Sequence, residues 1–141
     1  MLAVLASPLT GAEAQRMIDA AIAKAEQLGC PVMAVAVLDS GGHPLAIARM
    51  DDRWFEVDFA VAKAFAAIAL REDTTVSGAL VDSSPLWRTL PNLLDGRGSF
   101  AAGGLLVRRA PGDEGIAGAI GVSGGDGEQD EAVARTAAEA L

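Results

Sequence analysis

The sequence predicts an α+β fold on three observations. The apolar periodicity runs in the order helix, two strands, helices, two or three strands, helix, which excludes the repeated βαβ pattern of a parallel sheet. A length of 141 residues fits one domain around one core. Hydrophobic residues make up 51% of the chain and charged residues 21%, which supplies the apolar material a core requires and excludes a disordered tail.

Residues 1–8 read as an N-terminal extension. Met1–Ser7 lacks the cationic start and the full apolar core of a secretory signal. Thr10-Gly11-Ala12-Glu13 fits a capping box, so a helix follows. Ala14, Met17, Ile18, Ala21, Ala25 and Leu28 share its buried face, and Gly29 before Cys30-Pro31 stops it. Val32 to Leu38 is an unbroken apolar run too short for an ordinary helix, which predicts a strand buried on both faces. Asp39-Ser40-Gly41-Gly42 permits a tight turn, and His43 to Arg49 returns as the partner strand.

Met50 to Trp54 reads as a loop. Val57, Val61, Ala64, Phe65 and Ile68 then line one face of a second helix ending near Arg71, with Lys63 on another side. Asp73-Thr74-Thr75 caps a short helical turn, and Ser83-Ser84-Pro85 breaks the chain before a second short piece that ends between Pro91 and Gly98. Phe100 to Val107 and Ile116 to Val122 flank the Pro111-Gly112-Asp113 turn as antiparallel strands. Asp126-Gly127-Glu128-Gln129 opens a terminal helix through Val133, Ala137 and Leu141.

Composition limits the partners. Eleven Lys+Arg against 19 Asp+Glu give a net charge of −8, and no basic patch offsets it, so nucleic acid is not an expected partner. The longest apolar stretch, Phe59 to Leu70, contains Lys63 and falls short of the ~20 residues a membrane-spanning helix needs. A cytoplasmic protein without a membrane partner is expected. Cys30 stands alone, which excludes an intrachain disulfide. With 4% aromatic residues, no Tyr and 16 Gly, the core is thin, and a homo-oligomer is the expected remedy.

The chemical motifs mostly exclude. Gly121-Val122-Ser123-Gly124-Gly125 matches a nucleophile elbow, yet His43 lies upstream and no later His exists to take the Ser123 proton. The same turn could cradle phosphate, but Asp126, Glu128, Asp130 and Glu131 already occupy the helix start and repel anions. Alternating Asp126, Glu128 and Asp130 lack the glycine of a calcium loop, and one His with one Cys makes no ordinary zinc site; no metal is expected. Arg49-Met50-Asp51-Asp52-Arg53 concentrates charge after a strand, where extended geometry would set Asp51 beside Arg49 with Asp52 pointing away. Lys63 either snorkels to water or closes a pocket with its ammonium.

Taken in series, five segments resemble the GlcG/HbpS family, which also supplies the C-terminal domain of PduO-type proteins. They are Leu9 to Gln15, Val35 to His43, Arg49-Met50-Asp51, Ala62-Lys63-Ala64, and Gly118 to Asp130. The resemblance covers Leu9 to Leu141. It implies a profilin-like fold, a five-stranded antiparallel sheet flanked by helices, in homo-oligomers with pockets near subunit contacts. It also implies heme or a related tetrapyrrole as a ligand of some members.

By position, the resemblance makes Arg49, Met50, Asp51, Lys63, Gly103, Gly104, Ser123, Gly124, Glu128 and Asp130 the ligand-binding candidates. Three places depart from the family pattern: Ala66, Ala101-Ala102-Gly103-Gly104, and Asp52-Arg53-Trp54. A heme iron needs an axial donor, for which the chain offers His43 first, then Cys30 and Met50. Two alternatives stay open beside ligand binding. One is an isomerase, cyclase or hydratase in which Asp51 or Glu128 moves a proton while Arg49 or Lys63 holds an anionic substrate. The other is an assembly module without chemistry.

Overall fold

The computed structural model describes residues 7–141. Met1 to Ala6, and with them most of the expected N-terminal extension, lie outside the described residues. Helix α1 (Gly11–Gln27) starts on the expected capping box, in which the Thr10 hydroxyl accepts from the Glu13 N–H and the Glu13 carboxylate from the Thr10 N–H. Strands β1 (Ala34–Asp39) and β2 (Pro44–Arg49) form the expected hairpin. At its turn the Asp39 carboxylate accepts from the N–H groups of Gly41 and His43, and the His43 bond holds its pKa below the ordinary carboxylate range against the cost of desolvation.

Helix α2 (Phe55–Leu70) follows, and its buried face corrects the expected one. Glu56, Ala60, Lys63, Ala64, Ala66 and Ala67 are buried, whereas Val57, Val61, Phe65 and Ile68 are only partly covered. The reason is close approach: a Cβ on Gly121 would lie 1.9 Å from the Ala60 carbonyl oxygen, and one on Gly104 would lie 2.4 Å from that of Lys63. Where the two backbones come this close alanines fit, and the longer Glu56 and Lys63 side chains on the same face reach past the contact to Ser123 and Asp130.

Helix α3 (Thr74–Ser83) is longer than the short turn expected, with 10 residues. Its N-terminus is stitched to the sheet, since the Asp73 carboxylate accepts from the Leu106 N–H at 2.9 Å and the Thr74 hydroxyl exchanges hydrogen bonds with the Gly104 backbone. The short helices α4 (Pro85–Arg88) and α5 (Leu90–Leu93) follow the break at Ser84-Pro85. Strands β3 (Gly104–Val107) and β4 (Gly118–Ser123) and helix α6 (Gly127–Glu139), itself opened by an Asp126/Gln129 capping box, complete the chain.

The fold is α+β, and its antiparallel sheet has the order β2-β1-β4-β3. That corrects the expected five strands to four among the described residues. Between β3 and β4 the Arg108 guanidinium donates to the carbonyls of Asp113 and Glu114, which draws residues 108–115 into a turn and uses acceptors a further strand would need. Val35, Val37, Ile120 and Val122 face α1 and α6 across the main core, while Ala34, Ala36, Leu38 and Ala119 face α2. The central strands are therefore buried on both faces, as the run from Val32 to Leu38 predicts. No described helix is long and apolar enough to cross a membrane.

Candidate functional site

Charged groups collect where α2, the end of β4 and the start of α6 meet. Lys63, 5% exposed, places Nζ 2.8 Å from Asp130 Oδ2 and 2.9 Å from the Val122 carbonyl oxygen. The other carboxylate oxygen of Asp130 accepts from the Gly125 N–H at 2.9 Å. Burial pushes the Asp130 pKa above its ordinary value; the Lys63 ammonium and the Gly125 N–H pull it back, and the Glu56 charge adds to the rise. Gly103, at φ +120, lies over this pair, and a Cβ there would stand 3.2 Å from Lys63 Nζ and 3.0 Å from Asp130 Cβ.

A second pair adjoins the first. The Ser123 hydroxyl donates to Glu56 Oε2 at 2.5 Å, and Arg53 Nη1 stands 3.9 Å from Glu56 Oε1. Arg53 also donates to the carbonyls of Val32 and Gly124, and its Nε is 3.4 Å from Asp51 Oδ2. The Arg49–Asp51 pairing expected from extended geometry gives way to Asp51–Arg53, because the Asp51 carboxylate also accepts from the Arg53 N–H and so turns the chain out of β2. Asp51 is half-buried and Arg49 is exposed.

Of the candidates read from the sequence, the fold thus brings together Lys63, Gly103, Gly104, Ser123, Gly124 and Asp130, and leaves Arg49 and Glu128 on the surface. Met50 packs at the margin of the main core. Arg53 and Glu56 complete the cluster and were not among those candidates. Glu56 carried a signal nonetheless: Glu56, Ala60, Lys63, Ala64 and Ala67 follow helical spacing, so two charges share the small-residue face.

A cavity lies apart from this cluster. A cleft of about 860 Å³ opens between the first half of α2, α3 and residues 96–102. Trp54, Phe55, Phe59, Val81 and Phe100 give it apolar walls, with Thr74, Thr75, Ser99, Asp58 and Asp82 as polar groups. None of the candidates from the sequence lines it. Thr74 links the two regions, because it faces the cleft and bonds Gly104 behind it.

An antiparallel sheet between helices, a buried Lys63–Asp130 pair and an aromatic cleft beside α2 define a small α+β protein. The chain belongs to the HbpS-like family: the family model described as "Haem degrading protein HbpS-like" matches residues 9–139. It is 35% identical over 131 residues to a 15.0 kDa protein in the dhaT-dhaS intergenic region of Citrobacter freundii, covering 92% of this chain and 89% of that one. It is 31% identical over 127 residues to the corrinoid adenosyltransferase PduO of Salmonella typhimurium, covering 89% of this chain but only 37% of PduO. Among solved structures, the PduOC:heme complex superposes with a TM-score of 0.85 at 29% identity, covering 96% of each chain.

The cleft fits the ring of a heme better than its iron. Its volume and aromatic walls suit a flat macrocycle, but among the described residues no His, Cys, Met or Tyr lines it. His43 stands exposed at the hairpin turn beside Asp39, Cys30 is buried with its thiol on the Leu28 carbonyl, and Met50 borders the main core. Among the described residues no three His, Cys, Asp or Glu side chains converge as a metal site.

Proposed function

We propose that the protein binds a small flat ligand of the heme or tetrapyrrole type in the cleft between α2 and α3, through contacts with the ring. The 860 Å³ cleft carries this reading, since its size falls within the range of small-molecule sites and its walls take four of the six aromatic residues of an aromatic-poor chain. The similarity to a protein solved as a heme complex supports the ligand class. The buried Lys63–Asp130 and Glu56–Ser123 pairs hold α2 and α6 against the sheet, and so fix the wall on which the ligand rests.

A hemin titration followed in the Soret band tests the proposal. We expect saturable binding that is weakened by Phe59→Ala and unchanged by His43→Ala. Binding that depends on His43 and ignores Phe59 would move the ligand out of the cleft. The same reading makes the chain a homo-oligomer, with Val76, Leu80, Leu86 and Leu93 on α3 to α5 as the associating face; these residues are exposed, Leu86 and Leu93 by 75% and 76%. Sedimentation equilibrium at micromolar concentration checks it, and a species of 14.3 kDa throughout would refute it.

A further inference from the structure

We propose that the α2–α3 cleft takes a planar organic cation in preference to a carboxylate-bearing ring of the same size. The inference rests on the binding role proposed above and adds the charge of the ligand.

Two kinds of group in the cleft favour positive charge. Trp54, Phe55, Phe59 and Phe100 contribute aromatic rings, whose faces attract cations through their negative quadrupole. Trp54 meets Phe55 edge to face at 6.0 Å, and Phe55 meets Phe59 likewise at 6.5 Å, so three of these rings form one packed wall. Asp58 from α2 and Asp82 from α3 bring carboxylates to it from two helices, both exposed.

Among the described residues no Lys, Arg or His lines the cleft to receive a carboxylate. The neighbouring cations are engaged elsewhere. Lys63 is held by Asp130, Arg53 lies between Asp51, Glu56 and two carbonyls, and Arg97 sits 4.1 Å over the Phe65 ring. Arg88 donates to the Asp82 backbone carbonyl at 3.0 Å and offsets part of the charge at that end. A ligand anion would therefore meet the Asp58 and Asp82 carboxylates, aromatic walls without a cation among them, and the field of a chain with net charge −8, whereas a cation gains from the carboxylates and the field.

Three metal-free porphyrins with one ring separate charge from iron chemistry: the dicarboxylate protoporphyrin, its uncharged dimethyl ester, and its bis(aminoethyl)amide dication. Each is titrated against the full chain by tryptophan quenching at about 20 mM and about 200 mM salt. We expect the dication to bind about tenfold tighter than the dicarboxylate at low salt, the ester to fall between them, and the gap to narrow at high salt. Asp58→Asn/Asp82→Asn should close most of the gap. Glu26→Gln/Glu114→Gln, which removes the same charge from exposed positions elsewhere, should leave it open.

Equal or tighter binding of the dicarboxylate overturns the charge preference while leaving the binding role intact. So does a gap that the two double variants reduce equally, which would trace it to the overall field. A flat titration with all three porphyrins instead overturns the binding role, and the preference with it.

Discussion

Lys63→Met removes an ammonium from a site that keeps its carboxylate. In the native protein Lys63 Nζ holds Asp130 Oδ2 at 2.8 Å and the Val122 carbonyl oxygen at 2.9 Å, and Asp130 is 3% exposed. Met retains most of the stem volume, so the change is chiefly electrostatic. Breaking a buried pair on one side costs about 3–5 kcal/mol, because the remaining carboxylate is shut off from water and keeps only the Gly125 N–H as a donor. At ~2.1 cal/mol/K of unfolding entropy per residue, this corresponds to a melting temperature lower by roughly 10–17 °C.

The pH dependence gives a second readout. Burial already raises the Asp130 pKa, so the folded state binds this proton more tightly than the unfolded chain does. Stability from this group is lost as pH rises from the unfolded value through the folded one, and Lys63→Met raises the folded value further. The deficit is therefore greatest at neutral pH and shrinks on acidification, as Asp130 becomes neutral. Urea unfolding followed by circular dichroism at several pH values measures it. Lys63→Met/Asp130→Leu should recover most of the loss. A neutral-pH cost under about 1 kcal/mol, or a double variant as unstable as the sum of the single ones, would refute the reasoning.

Ser123→Ala should lower stability by about 1–3 kcal/mol by leaving the buried Glu56 carboxylate without its hydroxyl donor, and Ser123 should resist fluorophosphonate; unchanged unfolding or rapid labelling would contradict this. Gly121→Ala would set a methyl group 1.9 Å from the Ala60 carbonyl oxygen, so we expect a loss above about 4 kcal/mol or failure to fold, and a soluble variant melting with the wild type would show that α2 does not lie so close. The Arg109 guanidinium beside Glu13 holds its pKa at about 2, below the ordinary 4.5. Its stabilising effect is thus complete above the unfolded value and lost as pH falls toward 2, and Glu13→Gln should flatten that acid limb in urea titrations.

The sequence by itself determined what depends on neighbouring residues. The Thr10/Glu13 capping box, the helix start at Asp126 to Gln129, the Asp39-to-Gly42 turn, the break at Ser84-Pro85 and the doubly buried β1 are local patterns of caps, turns and periodicity, and each stands where it was expected. Similarity along the chain also disclosed the family.

Only the tertiary structure decided which face of α2 turns inward. Hydrophobicity favoured Val57, Val61, Phe65 and Ile68, but Gly104 and Gly121 on β3 and β4 bring the sheet so near that size prevails over hydrophobicity and the alanine face enters with Glu56 and Lys63. Once that face is inside, each charge must find a partner, and the partners come from distant segments: Ser123 for Glu56 and Asp130 for Lys63. The same rotation leaves Phe55 and Phe59 toward α3 and Phe100, where they wall a cleft. No local pattern encodes that, because the cleft joins residues whose common neighbourhood exists only after the helix has chosen its face.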